Sequence, residues 1–485
     1  MFMFHYDFSD HQNRHIHISD IPLDYFSHIQ QTTREDPFYP LWHIAPICGL
    51  LNDPCGLVQK DGIHYIFHQW FPAGPVHGLK YWYLLTTRDF IHYTSKGAVL
   101  QPQYPFDDHG CYTGMAFPDA DSITIYYTGI QGEEKTPCIC CGSLSDSQVT
   151  GRHSIIRQDN AVSTKEFRDP CAFERNGMRY LLVGAQNPQN EGCLLLYHLG
   201  PDEEFGLDGP IQLGGRSFGY MLECPNYFEM DGAGILFFSP MGIKSRDKYE
   251  FRNVFSVVYA KGEPLDVSGR EFRSLEFYEM DKGFDFYAPQ TYRDEQGRQI
   301  LFGWLGNSKS EYPTDGNNWA HMLTLPRQIS WLGDRMVQTP LPELEALRYA
   351  PQPLRDSLQL REASFDIEGE VYGQFEFEIS NKSGNSVRFT ANETEYCLDR
   401  SGMTFLYAER FGTQRYARRL MEKQSIRILF DRSSLEIFVD GGQTVFTSRV
   451  FLNDIQTLHV SGIWGTLYQM APIHIHRQTC NQDPS

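Results

Sequence analysis

Ile63-His-Tyr-Ile-Phe-His-Gln69, an apolar run behind the turn residues Asp61-Gly62, has four counterparts further along the chain. They are Ile123-Thr-Ile-Tyr-Tyr-Thr-Gly129, Arg179-Tyr-Leu-Leu-Val-Gly-Ala185, Ile235-Leu-Phe-Phe-Ser-Pro-Met241 and Ile300-Leu-Phe-Gly-Trp-Leu-Gly306. The runs begin 60, 56, 56 and 65 residues apart. Short, apolar and rich in β-branched and aromatic residues, they read as strands. Some 11 to 13 residues before each lies a short motif: NDPCG at 52, YTGMAF at 112, RDPCAF at 168, ECPNYF at 223 and YAPQTY at 287. A single four-stranded sheet cannot bury both its faces, so units repeating at a near-constant period point to a radial array. The expected architecture is all-β: a five-bladed β-propeller over residues 38–345, with each motif starting the innermost strand of a blade at the mouth of the central channel.

Outside the repeat the character changes. Two prolines in Tyr349-Ala-Pro-Gln-Pro353 break regularity, and residues 346–360 read as a linker. Alternation through Gly373-Gln-Phe-Glu-Phe-Glu-Ile379 and Ser434-Leu-Glu-Ile-Phe-Val439, the latter ending in the turn pair Asp440-Gly441, predicts a C-terminal β-sandwich over 361–485. Residues 1–37 are polar and His-rich and read as an N-terminal extension. The best helix lies at 22–31, with weaker helical character at 341–347.

Composition bounds the function. The 485-residue chain carries 61 Asp and Glu against 42 Lys and Arg, a net charge of −19, which repels nucleic acid and anionic lipid. No apolar run reaches the ~20 residues of a membrane span, and the N-terminus lacks the basic start and apolar stretch of a signal peptide. A cytoplasmic protein with a small-molecule partner is expected, with neither nucleic acid nor membrane as partner. Eleven cysteines at irregular spacing read as reduced thiols. Cys138, Cys140 and Cys141 have no second Cys/His pair at zinc-ribbon spacing, and the pairs His15/His17 and His474/His476 have no nearby third ligand. No metal or organic cofactor is expected.

Three of the repeated motifs carry an acid beside a proline: Asp53-Pro54, Asp169-Pro170 and Glu223-Cys-Pro225. Around one channel these carboxylates would repel one another, an arrangement that marks function more often than stability. Divalent-cation binding and glycoside cleavage both use clustered carboxylates. Arg168, next to Asp169, favours the second, because a guanidinium competes with a cation but can bond sugar hydroxyls and hold a neighbouring carboxylate ionised. Tyr112, Tyr287, Trp82, Trp304 and Trp319 suit the apolar faces of a sugar ring.

These residues resemble a known family. His43-x-x-Pro46-x-x-Gly49-Leu-Leu-Asn52-Asp53-Pro54-Cys55-Gly56 is similar to the signature of glycoside hydrolase family 32, the invertases and other β-fructofuranosidases. The likeness continues through Phe67-His-Gln69, Tyr112-Thr-Gly114, Arg168-Asp-Pro170, Glu223-Cys-Pro225, Tyr287-Ala-Pro-Gln290, Trp319 to Arg327 and Asp431 to Glu436. It implies a retaining enzyme with Asp53 as nucleophile, Glu223 as general acid/base and Asp169 as transition-state stabiliser. Glu223 must then be protonated before attack, a state that Asp169 and a dry pocket would favour. The resemblance further implies that Leu50, Asn52, Gln69, Tyr112, Thr113, Arg168, Tyr287 and Trp319 bind substrate.

Departures from the pattern are Cys55 in place of a second Asn, Thr113 for Ser, His77 for a Trp and His321 for Gly. Cys55 is expected to be buried, slow to alkylate, and replaceable by Asn. Within the family, Gly49-Leu-Leu-Asn-Asp53, Lys80-Tyr-Trp82 and Tyr220 to Pro225 most resemble the bacterial sucrose-6-phosphate hydrolases, which release fructose from sucrose 6-phosphate or sucrose. Lys80 is expected on a loop overhanging the channel mouth, reading the phosphate. Hydrolysis of fructans, fructosyl transfer and non-catalytic sugar binding on the same propeller are the alternatives.

Overall fold

The computed structural model describes residues 6–245 and 247–477 and is built almost wholly from strands. The architecture is all-β: sheets of four to six strands in a propeller arrangement, then a ten-stranded C-terminal assembly. Every sequence motif lies on the first strand of its sheet: Gly49–Lys60, Cys111–Pro118, Phe167–Arg175, Met221–Met230 and Tyr287–Arg293. The apolar runs form the antiparallel second strands, Ile63–Phe71, Ile123–Gln131, Met178–Gln186, Ala233–Met241 and Gln299–Leu305. These second strands are nearly continuously buried, because neighbouring sheets cover both faces. Consecutive first strands touch, and Tyr287–Arg293 touches Gly49–Lys60.

The first strands share a defect. Pairing with the second strand slips between Leu51 and Pro54, Tyr112 and Gly114, Glu223 and Asn226, and Tyr287 and Gln290; opposite Leu182 and Gly184 it slips at Asp169-Pro170. Asp169, Cys224 and Ala288 take φ of 63°, 47° and 43° at these bulges, and a proline follows each. Proline has no N–H to give the ladder, and a bulge turns its side chains away from the regular alternation. The motif residues are thereby aimed together at one end of the strands.

In the C-terminal assembly Ser364–Asn381 pairs with Ser386–Ala391, Lys423–Asp431 and Ile455–Met470, so one long strand serves two layers. Arg348–Pro353, inside the span read as a linker, is a strand on Ile455–Met470. Its two prolines are accommodated because the strand lies at the sheet margin and slips register between Tyr349 and Gln352. The expected helices occur as Leu23–Glu35 and the 3-10 segment Pro342–Leu347. Among the described residues no helix is long and apolar enough to cross a membrane.

Buried charge joins the two parts. Asp431 accepts the backbone N–H groups of Leu41, Trp42 and His43 at 2.8, 2.9 and 3.1 Å. The His43 ring lies between Asp431 (2.9 Å) and Glu436 (3.1 Å). Arg327 donates to the other oxygen of Glu436 at 3.1 and 2.6 Å and to Asp281 at 3.3 Å. Several residues that carry the family likeness therefore hold the parts together and lie away from the catalytic candidates.

Candidate active site

The bulges bring Asp53, Asp169 and Glu223 to the wall of one cavity of about 480 Å³. That is the size range of ordinary small-molecule pockets. Asp53 accepts hydrogen bonds from Asn52 Nδ2 at 3.1 Å and from Thr113 Oγ1. Asn52 also donates to Gln69 Oε1 and accepts from Lys80 Nζ at 2.7 Å. Burial pushes the Asp53 carboxyl above its usual range; the Thr113 and Asn52 donors and the Lys80 charge oppose that shift, and Glu223 adds to it. Asp169 is 4% exposed, with its backbone N–H on Thr128 Oγ1 at 2.9 Å and its carboxylate on the Cys224 N–H at 3.0 Å. Burial raises its pKa to about 7 against the pull of Arg168, with Glu223 and Asp53 repelling the charge.

Glu223 is fixed through both oxygens. Oε1 accepts from Arg168 Nε (3.0 Å) and Nη2 (2.8 Å), and Oε2 accepts from Tyr287 OH at 2.5 Å. Arg168 also donates to Glu166. The carboxylates it bonds are thus Glu223 and Glu166, whereas the sequence had paired it with the adjacent Asp169. The turned backbone at Asp169 separates two side chains that are neighbours in sequence.

The cavity also gathers Asn52, Gln69, Lys80, Tyr112, Thr113 and Tyr287. Leu50 and Trp319 do not belong to it. Leu50 is 2% exposed in the apolar core of the first sheet. Trp319 is fully buried, pairs in parallel with Gly49 and donates its indole N–H to Asp36 at 2.7 Å. Trp82 is likewise buried and bonded to the Tyr112 carbonyl. Lys80 is placed differently from its expectation: it is 3% exposed, between Asn52 and His77, beside Asp53 rather than over the channel mouth. Tyr81–Thr87 starts at the next residue, and entry into that strand turns Lys80 inward. Cys55 lies outside the cavity, buried among Phe67, Trp82 and other apolar side chains.

Other lining residues escaped the sequence reading. Cys224 puts its Sγ 3.5 Å from Asp169 and 3.9 Å from Asp53. His11, Arg14 and His15 of the N-terminal extension reach the same cavity, as does Lys135. Gln69 Nε2, His77 Nε2 and Trp304 Nε1, all on lining residues, are buried without a protein hydrogen-bond partner. Among the described residues no group of His, Cys, Asp and Glu has the arrangement of a metal centre.

Comparison with known proteins gives the family. Residues 43–340 match the glycosyl hydrolases family 32 N-terminal domain, and residues 341–466 match the glycosyl hydrolases family 32 C terminal domain. The chain is 38% identical to the sucrose-6-phosphate hydrolase of Vibrio alginolyticus over 93% of this chain and 94% of the relative. It is 33% identical to that of Bacillus subtilis, over 86% and 89%. Among solved structures, the sucrose-6-phosphate hydrolase from Lactobacillus gasseri superposes with a TM-score of 0.90 at 25% identity, covering 96% of this chain and 99% of that one.

Proposed function

The chain belongs to glycoside hydrolase family 32, and from that premise we propose that it is a retaining β-fructofuranosidase that hydrolyses sucrose 6-phosphate. The observation that carries the reading is the bulged motif on successive strands, which turns Asp53, Asp169 and Glu223 into one cavity.

In the first step an oxygen of Asp53 bonds to the anomeric carbon of the fructosyl unit. The glycosidic bond breaks and its oxygen takes a proton from Glu223, releasing glucose 6-phosphate. In the second step Glu223 takes a proton from water, whose oxygen bonds to the anomeric carbon. The bond to Asp53 breaks, fructose leaves, and both carboxyls return to their starting states. A retaining enzyme needs its two carboxyls about 5 to 5.5 Å apart. The Asn52 and Thr113 donors keep Asp53 oriented and favour its ionised form. Asp169, whose carboxyl is pushed above its usual range by burial, faces the same cavity and holds fructosyl hydroxyls. The unpartnered Gln69 and Trp304 N–H groups are further donors for a sugar.

We read the five motif-bearing sheets as five blades over 38–345, followed by the C-terminal sandwich over 361–485. A dianionic phosphate does not cross a bilayer unaided, so the reading puts the work in the cytoplasm. The test is the ratio of kcat/KM for sucrose 6-phosphate over sucrose. A ratio well above one is expected, and a ratio of one leaves a plain β-fructofuranosidase.

A further inference from the structure

Lys80 cannot read a phosphate from where it lies, because its ammonium is buried against Asn52 and His77 beside Asp53. If the fructosyl carbon meets Asp53, the glucosyl unit extends toward the mouth, and the mouth has its own cations. They come from two segments far apart in sequence. His11, Arg14 and His15 belong to the N-terminal arm, and Lys135 to the turn between strands Ile123–Gln131 and Thr136–Ser145.

The arm is built into the first sheet. The Arg14 carbonyl accepts the Leu79 N–H at 2.7 Å, and the Ile18 N–H donates to Tyr81 OH at 3.0 Å. Arg14 Nε is held by the Phe8 carbonyl at 2.8 Å. Phe8 stacks edge-on against Phe71. A Cβ at Gly74 would lie 2.2 Å from the Phe8 ring, and one at Gly78 would lie 2.6 Å from the Arg14 carbonyl. Both glycines are therefore needed for the arm to sit where it does.

Neither Arg14 of the arm nor Lys135 beside it is neutralised by an ion pair among the described residues. Among the described residues His11, Arg14, His15 and Lys135 form no ion pair, and His15 Nδ1 is buried without a hydrogen-bond partner. The groups that face His15 are themselves cationic or potentially so: Lys135, His109 and His11 all oppose its protonation, after burial. The nearby acids are already engaged. Asp108 accepts from His109 at 3.0 Å and Glu134 from Lys165 at 3.1 Å. In a chain of net charge −19, Arg14 and Lys135, which line one cavity from two separate segments and have no ion-pair partner among the described residues, are placed to accept an anion.

We propose that the N-terminal arm completes the substrate pocket, with His11, Arg14 and His15, together with Lys135, forming the subsite for the 6-phosphate of the glucosyl unit. The inference rests on the sucrose 6-phosphate reading above. It assigns discrimination between the phosphorylated and plain sugars to the arm, and the chemistry to the channel.

The experiment compares kcat/KM on sucrose 6-phosphate and on sucrose for the full chain and for Arg14→Gln, Lys135→Gln and the double variant. Inhibition by the product glucose 6-phosphate is measured alongside. Charge-assisted hydrogen bonds to phosphate set the scale. The double variant is expected to lower the ratio of the two kcat/KM values by roughly 10- to 100-fold and to weaken glucose 6-phosphate inhibition in parallel. Lys135 is exposed on a turn, so its replacement tests the subsite without disturbing the fold. An unchanged ratio in a wild type that prefers sucrose 6-phosphate overturns the subsite and leaves the substrate reading standing. Equal losses on both sugars reduce the arm to a support. A wild type with no preference overturns the substrate reading and the subsite together.

Discussion

Arg168 aims Nε and Nη2 at one oxygen of Glu223, at 3.0 and 2.8 Å, while the other oxygen accepts from Tyr287. The proposed acid/base is thus oriented from two sides before a sugar binds, and proton transfer must exchange one of these contacts for the glycosidic oxygen. Glu223→Gln keeps the shape and the contacts' positions but has no proton to cycle. It is expected to lower kcat on sucrose by at least the ~10²-fold of a general acid. The loss should shrink on an aryl fructoside, whose leaving group departs without protonation. A loss of the same size on both substrates takes the acid role from Glu223.

Asp53→Asn is expected to abolish turnover while the thermal midpoint stays close to that of the native chain. The amide fits between Asn52 and Thr113 but cannot form the bond to carbon. Retention of more than about a tenth of the activity, far above the residue expected without a nucleophile, removes Asp53 from that role.

Asp169 supplies a pH signature. Its pKa is about 7 in the folded chain and about 3.9 when unfolded. Between these values the folded state binds the extra proton, so stability falls as pH rises through the window and levels off above it. Asp169→Asn removes the dependence. Its melting temperature relative to the native chain should therefore climb from about pH 4 to about pH 7 and then stay level. A difference independent of pH across that range contradicts the burial of a protonatable Asp169.

Lys80→Met should reduce kcat/KM on sucrose and on sucrose 6-phosphate alike, by roughly 10- to 100-fold, the range of one lost charge-assisted hydrogen bond. The ammonium orders Asn52, which in turn orients the nucleophile, and both sugars depend on that. A loss confined to sucrose 6-phosphate would return the phosphate to Lys80.

The thiol of Cys55 is fully buried, and burial together with Asp53 and Asp169 pushes its pKa well up. Alkylation in the native state should be slower than at the half-exposed Cys141 or Cys193, as mass spectrometry of partially labelled protein would reveal. The apolar surroundings add a stability test for Cys55→Asn, which the sequence expects to be tolerated. An amide packed against Phe67 and Trp82 loses water, and if it finds no partner there the variant loses about 1 to 3 kcal/mol of stability, read from denaturant midpoints; an unchanged midpoint shows that the site supplies one.

Much of the fold was legible because the propeller repeats itself. A period near 60 residues and an acid-proline motif ahead of three of the strands are visible in a single chain. The bulges explain why the motifs coincide with the site: proline and a residue able to take positive φ record where the ladder breaks. What escaped depends on direction and on long-range docking. Lys80 reads as a surface residue until the strand at Tyr81 turns it inward. Trp319 lies in a run that carries the family likeness, yet its indole serves Asp36 and its backbone pairs with Gly49. The arm left no periodic signal, since a 3-10 turn of five residues has none, and the glycines that receive it lie some 60 residues later. His43 and Asp431 meet across 388 positions, and neither residue hints at the other.

The buried charges between propeller and sandwich impose an order on biosynthesis. His43, Asp281 and Arg327 emerge from the ribosome long before Asp431 and Glu436, which are to cover them. Until then, Arg327 has Asp281 but not Glu436, and His43 has neither of its acids, so the face that carries them has to remain wet. The first sheet waits longer still, because its outer edge is sealed by His474–Arg477 laid parallel to His92–Leu100. Translation of this chain is therefore expected to carry an unfinished propeller for more than a hundred residues. A chaperone that shields a hydrated, charged surface has its longest opportunity in that interval, before the sandwich locks the assembly shut.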